Sequence, residues 1–349
     1  MTMLADTVDA VVGVDTHRDS HTAFLLDSAG RSLGSRTVAN STAGFTDLID
    51  WVQANAPGRV LMAVEGTRSY GLALTRHART AGITVTEVEQ PSRKGRRAGK
   101  SDIIDAELAA RTVLALPVEL LAQPRADGDR EALRILLASR DDLTTAKTMQ
   151  ANRLHALLLG GDDTDRALGR GKFSPATLSR IARRRPGQDA DRAEAIRRQE
   201  CRRLAKDVAE LDRQLRVNKT QLTEIVDDLA PGLTEQRGIG PVSAATVIVA
   251  FSHPGRFRNE AAFAALAGTS PIPASSGQTI RHRLNRGGDR TLNRAIHTIA
   301  RNRMIHDPAT HTYAKRRRAE GKTNREILRC LKRYITRQLY RELTTTLAA

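Results

Sequence analysis

The sequence predicts an α/β domain at the N-terminus and helices through most of the remainder. Three observations carry this. Residues 1–118 alternate short apolar runs with amphipathic segments, the pattern of strands and helices built around one sheet. From Asp129 to Leu229 the apolar positions recur at helical spacing. Beyond residue 230, Gly and Pro separate further helical stretches. A chain of 349 residues has room for two or three domains, and the expected divisions are 1–118, 119–230 and 231–349.

In the first division, "AVVGVD" (Ala10–Asp15) is a short buried-type strand ending in an acid. "HTAFLLD" and "RSLGSRTV" are strands joined through "SAG", a hairpin signal. "NSTAGFTDLIDWVQAN" is a helix with Ser41 or Thr42 as N-cap and Phe45, Leu48, Ile49 and Val52 on one face. "RVLMAVEGT" is a second buried strand, ending in Glu65. "YGLALTRHARTAG" is a helix closed by Gly82, and "ITVTEV" a further strand. The loop "EQPSRKGRRAGKS" then leads into a helix from Asp102 to about Leu116, stopped by Pro117.

The middle division holds a helix from Arg130 to Leu159 and a second, more regular one. In the second, Leu204, Val208, Leu211, Leu215, Asn218, Leu222, Ile225 and Leu229 form a seven-residue repeat with one polar member. Such a seam fits either a hairpin within the chain or a coiled coil that also joins two chains. The Gly-, Pro- and charge-rich stretch near 160–192 reads as an insertion at the hairpin tip. In the last division, "RGIGPVSAATVIV" has the form of a helix-hairpin-helix, whose glycines, here Gly238 and Gly240, let the backbone approach a phosphate. "NEAAFAALAGTSP" and "TLNRAIHTIARNRM" are helical, and an Arg/Lys-rich helix lies near "KRRRAEGKTNREILRCLKRYITRQLYREL".

Charge narrows the function. The 56 Lys and Arg residues outnumber the 39 Asp and Glu, for a net charge of +17 within folded-looking segments. That is the electrostatic footprint of a nucleic-acid binder; a merely Arg-rich protein is the bland alternative. Aromatic residues make up only 3%, which excludes stacking on aromatic platforms as the main binding mode. The two cysteines, Cys201 and Cys330, have no metal-type spacing and suggest neither a disulfide framework nor a zinc site. The N-terminus lacks signal-peptide character and no apolar run is long enough to cross a membrane, so a cytoplasmic protein is expected.

The acids are more specific. Asp15 and Glu65 each end a buried strand, while Asp102 and Asp105 open a helix and, three residues apart, share one of its faces. They follow a basic run that includes Arg96, Arg97 and Lys100. Acids in the first turn of a helix also suit its dipole, and any one of the four alone is weak evidence. Together, on an α/β sheet, they form the arrangement with which RNase H-like nucleases hold two Mg²⁺. Carboxylates are the hard oxygen ligands that Mg²⁺ prefers, and a metal pair clamps the attacking and leaving oxygens of a phosphoryl transfer.

The set Asp15, Glu65 and Asp102-x-x-Asp105 resembles the DEDD transposases of the IS-one-ten insertion-sequence family. "GVDTHRDSHTAFLLD", "VEGTRSYGLAL" and "GKSDIIDAELAAR" carry the resemblance in the first division, and "GIGPVSAATVIVAF" and "LAGTSPIPASSGQT" in the last. The stretch at 160–192 matches nothing in that pattern. The resemblance implies a RuvC-like (RNase H-like) DEDD domain at 1–118, a helical coiled-coil region at 119–230 and a mainly α C-terminal transposase domain at 231–349 with a helix-hairpin-helix. It implies strand cleavage and rejoining of donor and target DNA, with two Mg²⁺ per site. An element-encoded noncoding bridge RNA would guide the reaction, within a dimer that becomes a tetramer at synapsis. The RNA rests on the resemblance alone.

The family's serine maps onto "PASSG": Ser276, directly before Gly277, is the better match and Ser275 the fallback. From the residues alone "SSGQT" is better read as an ordinary polar turn. A serine needs activation to attack; His282 is the one nearby histidine, and Arg281 or Arg283 could assist. "RHRLNRGGDR", with Arg281, Arg283 and Arg286, reads as a phosphate-contact loop or as a flexible basic linker. The competing enzyme reading is a RuvC-type Holliday-junction endonuclease, which needs the acids but not the serine.

Overall fold

A computed structural model describes residues 2–56, 58–88, 101–125, 128–187, 190–273, 282–283, 285 and 287–347. Its contacts divide the chain into two units, one of residues 1–131, 248–294 and 321–349, the other of 132–247 and 295–320.

The first unit is organised on a five-stranded sheet. Its strands are β1 (Ala10–Thr16), β2 (Ser20–Asp27), β3 (Ser32–Ala39), β4 (Val60–Glu65) and β5 (Thr84–Val88). The spatial order is β3-β2-β1-β4-β5. β1, β2 and β3 pair antiparallel as a meander, whereas β4 lies parallel to β1 and β5 parallel to β4. The parallel strands read as continuous apolar runs because both of their faces are covered. One face packs under α1 (Thr42–Asn55) and α2 (Leu72–Thr80). There Val12, Val14, Leu25, Met62, Val64 and Val85 join Phe45, Leu48, Ile49 and Val52, the helix face expected from the sequence. Ser41 is the N-cap of α1, its hydroxyl accepting from Gly44 N–H at 3.2 Å. The other face carries α3 (Asp102–Leu114), whose Ala109, Ala110 and Val113 pack on Val11, Leu26, Leu61 and Ala63. This mixed sheet followed by helices agrees with an RNase H-like DEDD fold.

The second unit is built on α4 (Gly128–Leu159), whose boundary with the first unit falls after Glu131, and α7 (Arg192–Leu229). The two run antiparallel: Asn218 Nδ2 donates to Leu136 O at 2.9 Å, Lys147 pairs with Asp212 at 2.5 Å, and Arg197 donates to Leu157 O at 3.2 Å. The polar seam residue Asn218 is therefore bonded within the chain, with Arg140 also donating to its Oδ1 at 3.3 Å. Of the expected seam, Leu204, Val208, Asn218 and Leu222 are buried, Leu211, Leu215, Ile225 and Leu229 are half-buried, and Val226 is buried beside Ile225. The stretch at 160–192 folds onto this hairpin as α5 (Asp163–Gly169) and α6 (Pro175–Arg183), burying Leu168, Leu178 and Ile181 against Leu154, Leu158 and Leu204. Its anchor is polar: the carboxylate of Asp165 is held by Arg198 at 2.6 Å and Arg197 at 2.8 Å.

The remaining helices are α8 (Pro241–Phe251), α9 (Glu260–Leu266), α10 (Arg290–His306), α11 (Pro308–Ala319) and α12 (Asn324–Thr346). The single basic helix expected near the C-terminus is two. Gly321, at φ +80°, breaks the chain, and a capping box between Thr323 and Glu326 starts α12 afresh. A two-residue pair joins β6 (Ile272–Pro273) to β7 (His282–Arg283). No helix among the described residues is long and apolar enough to cross a membrane.

Candidate active site

Side-chain parity along β1 and β4 sets the site. Val11 and Leu61 face α3, and alternation carries Gly13 and Asp15 on β1, and Ala63 and Glu65 on β4, to the same side. The register pairs Val14 with Val64, so Asp15 and Glu65 follow at the carboxyl ends of neighbouring parallel strands. That end of an α/β sheet is where ligands bind. Thr16 Oγ1 donates to Glu65 O at 2.9 Å and ties the two ends together.

Gly13 brings the helical acids in. A Cβ on Gly13 would lie 2.1 Å from Ala106 O and 2.5 Å from Ala110 N, so α3 rests on bare backbone at this point. Asp102 lies one turn before Ala106, and Asp15 two residues beyond Gly13. The acids of the helix are thus delivered beside the acid of the strand. Asp15 and Asp105 are each 7% exposed, while Asp102 is open to solvent.

His17, which the sequence reading passed over, sits between them. Its Nε2 lies 3.3 Å from Asp15 Oδ2 and 3.4 Å from Asp102 Oδ1. The three residues present donor atoms within 4.8 Å of one another. The signal was present in Asp15-x-His17, a strand-like spacing that puts both side chains on one side.

Electrostatics mark this as a site that favours a cation. Burial raises the Asp15 carboxyl above its usual range; His17 opposes the rise, and the charges of Asp102 and Asp105 add to it. The charges of Asp102 and Asp105 both act on Asp15, and Asp15, His17 and Asp102 present donor atoms to one another. The donor set is mainly hard oxygen, which fits a divalent ion such as Mg²⁺.

Of the other expected site residues, Arg283 is exposed on β7. Gly238, at φ +81°, has its α-carbon against α10, where a Cβ would meet Ile299 O at 3.1 Å; Arg303 Nε donates to Arg237 O beside it at 2.8 Å. Gly238 is thus closely packed within the second unit, while a Cβ on Gly240 would meet nothing within 4 Å. Ser275, Ser276, Arg96, Arg97, Lys100, Arg281 and Arg286 lie outside the described residues.

Residues 12–161, which contain all four acids, match a DEDD-type IS110 family described as "Transposase", and residues 230–315 match the "Transposase IS116/IS110/IS902 family". The two matches are in order and together cover more than half of the chain. The chain belongs to the IS110 family of transposases. It is similar along nearly its whole length to proteins of insertion elements. It is 27% identical to the 43.6 kDa protein of insertion element IS110 from Streptomyces coelicolor, covering 93% of this chain and 91% of that protein. It is 25% identical to the 44.8 kDa protein of IS116 from Streptomyces clavuligerus, over 92% and 91% of the two chains. It is 26% identical to the 42 kDa protein of IS900 from Mycobacterium paratuberculosis, over 92% of each. The family assigns the chain to the enzymes that cut and rejoin DNA, and the carboxylate cluster accords with divalent-metal use.

Proposed function

We propose that this IS110-family chain cuts and rejoins DNA strands with Asp15, Glu65, Asp102 and Asp105 as ligands of Mg²⁺, two ions per site, and Ser276 as the nucleophile. The observation that carries the reading is the approach of α3 to β1 over Gly13, with the acids it gathers. When bound, the ions supply charge neutralisation at the phosphate undergoing exchange. The carboxylates hold oxygen donors at the sheet end, and Asp15 among them is largely protected from water. The cations Arg96, Arg97 and Lys100, which precede Asp102 in sequence, and Arg281, Arg283 and Arg286 grip the backbone without reading sequence.

The serine step is a transesterification. Ser276 Oγ forms a bond to phosphorus, the bond to one DNA oxygen breaks, and that oxygen takes up a proton while the hydroxyl gives one up. The bond energy is retained in a protein–DNA phosphodiester, so rejoining needs no external energy source. A bridge RNA pairing with donor and target DNA supplies sequence choice, and two subunits complete each site within a tetramer; both follow the family resemblance.

The test is incubation of the intact protein with its DNA and Mg²⁺, followed by denaturing electrophoresis. A denaturation-resistant adduct is expected with the native sequence and is lost in Ser276→Ala and in Asp105→Ala. Cleavage by Ser276→Ala that leaves protein-free ends would support the hydrolytic, RuvC-type reading instead.

A further inference from the structure

In the first unit, beside the β6–β7 pair, lies a cavity of about 740 Å³. It is walled by α12, by the turn at Gly268–Pro271 and by Arg283 and Asn285. Six of its lining side chains are cationic: Arg283, Lys322, Arg329, Lys332, Arg333 and Arg337. Against them stands one lining carboxylate, Glu326, already engaged in capping α12 at Thr323. Arg333 and Arg337 share the carboxylate of Glu260, the latter at 2.9 Å.

Lys332 is the unusual member. It is 8% exposed, and its Nζ donates to Asn293 Oδ1 at 2.6 Å. Asn293 is fixed in that sense because its Nδ2 donates to Ala267 O, also at 2.6 Å. A neutral amide meets one of the three ammonium donors and none of the charge. No carboxylate among the described residues acts on Lys332, and burial alone holds its ammonium below the usual lysine range. A buried charge without a counter-ion destabilises the fold that holds it. Surface cations have solvent to satisfy them; this one faces a cavity, with no anion acting on it among the described residues.

We propose that this cavity holds a backbone phosphate of the DNA strand presented to the serine loop, with the Lys332 ammonium as its buried counter-ion and Arg283 and Arg329 at its mouth. Pro271 and Arg283 line the cavity; the chain leaves the β6–β7 pair at Pro273 and returns to it at His282, and Ser276 follows Pro273 by three residues in sequence. The assignment to DNA, as distinct from an RNA strand with the same phosphates, rests on the proposed role of that serine.

The test separates the two claims by measuring binding without chemistry. Intact protein is titrated with a short fluorescein-labelled DNA duplex from the sequence flanking the gene, and with an RNA duplex of the same sequence, in EDTA and over a range of salt. Lys332→Met is compared with Arg301→Met, which removes an equal charge from the exposed face of α10. Lys332→Met is expected to weaken DNA binding about tenfold and to lower the salt slope by about 1. Its melting temperature is expected to stay level or rise, because an uncompensated buried charge is gone. Arg301→Met is expected to change affinity much less. A Lys332→Met protein that melts earlier and binds DNA as before would show that the Lys332–Asn293 contact only supports the fold, and the proposal would fall. Loss confined to the RNA duplex would overturn the assignment to DNA. Neither result bears on whether Ser276 forms an adduct, which the denaturing gel reads independently.

Discussion

Gly13 of β1 and Ala106 of α3 meet backbone to backbone: a single added carbon on Gly13 would stand 2.1 Å from the Ala106 carbonyl oxygen. Because Asp15 and Asp102 flank this contact, it fixes the separation of the acids. Gly13→Ala must push α3 away from the sheet. Overpacking at such a point costs about 1–3 kcal/mol, and a drop of that size is expected in chemical denaturation. Mn²⁺ binding, followed by calorimetry, should weaken with it. An alanine variant with native stability and native Mn²⁺ affinity would mean that α3 is not held by this contact.

Asp15→Asn addresses the like charges. The Asp15 carboxyl is raised, chiefly by burial, so the folded state holds its proton more tightly than the unfolded chain, whose carboxyl titrates near 3.8. Its contribution to stability is complete below that pH and is lost as pH rises through the raised folded value. At neutral pH without divalent ion, Asp15→Asn should therefore melt higher than the native protein. The same variant should lose most of the stabilisation that Mg²⁺ or Mn²⁺ confers on the native chain. Thermal melts with EDTA and with metal measure both, and a variant that melts lower in EDTA would contradict the repulsion.

His253 provides a pH signature of the first unit. Burial, followed by the charges of Arg256, Arg125 and Arg130, lowers its imidazole from 6.5 to about 4, and its buried Nε2 has no hydrogen-bond partner. The neutral ring is thus the folded form. Its contribution to stability is present above pH 6.5 and is lost as the pH falls toward 4, on the order of 2–3 kcal/mol. Urea denaturation at pH 7.5 and 5 should show the loss, and His253→Gln should flatten it. Equal pH dependence in the two proteins would assign the effect elsewhere.

Much of this was legible in the sequence, for identifiable reasons. All five strands of the sheet and the burial of Phe45, Leu48, Ile49 and Val52 follow from periodicity, because one face of each element has a single large core to meet. That Asp15 lies near a strand end and Asp102 and Asp105 in the first turn of a helix was legible because strand ends and helix starts are visible in one dimension. His17 was missed because it lies just past the strand's apolar run, and the Asp15-x-His17 spacing, though present, does not by itself mark a histidine as part of a site. The break at Gly321 was masked by basic residues on either side. Asn218 was recognised as the polar seam position, but whether its partner belongs to the same chain depends on Leu136 and Arg140, some eighty residues away. Lys332 was indistinguishable from the other cations of its helix; only its burial sets it apart.

Asp165 tests whether the folded stretch at 160–192 is part of the stable hairpin. Its carboxylate is 1% exposed and receives both Arg197 and Arg198. Removing one partner of a buried ion pair costs about 3–5 kcal/mol. Arg198 keeps Glu194 at 2.7 Å, so the lower end applies to Asp165→Ala. Denaturation followed by circular dichroism should show a loss near 3 kcal/mol. A loss below about 1 kcal/mol, the range of exposed pairs, would mean that these helices rest on the hairpin without holding it.

The most direct test of the central claim, that the carboxylate cluster and Ser276 act on one DNA phosphate, is peptide mass spectrometry of the protein after reaction with its DNA and Mg²⁺. The prediction is a nucleotide mass on the peptide containing Ser276, with fragmentation placing it on that residue. The mass should be absent in Ser276→Ala, and absent in Asp102→Ala and Asp105→Ala although those proteins still bind DNA. A nucleotide on any other residue, or full strand cleavage by Ser276→Ala with no modified peptide, would contradict it.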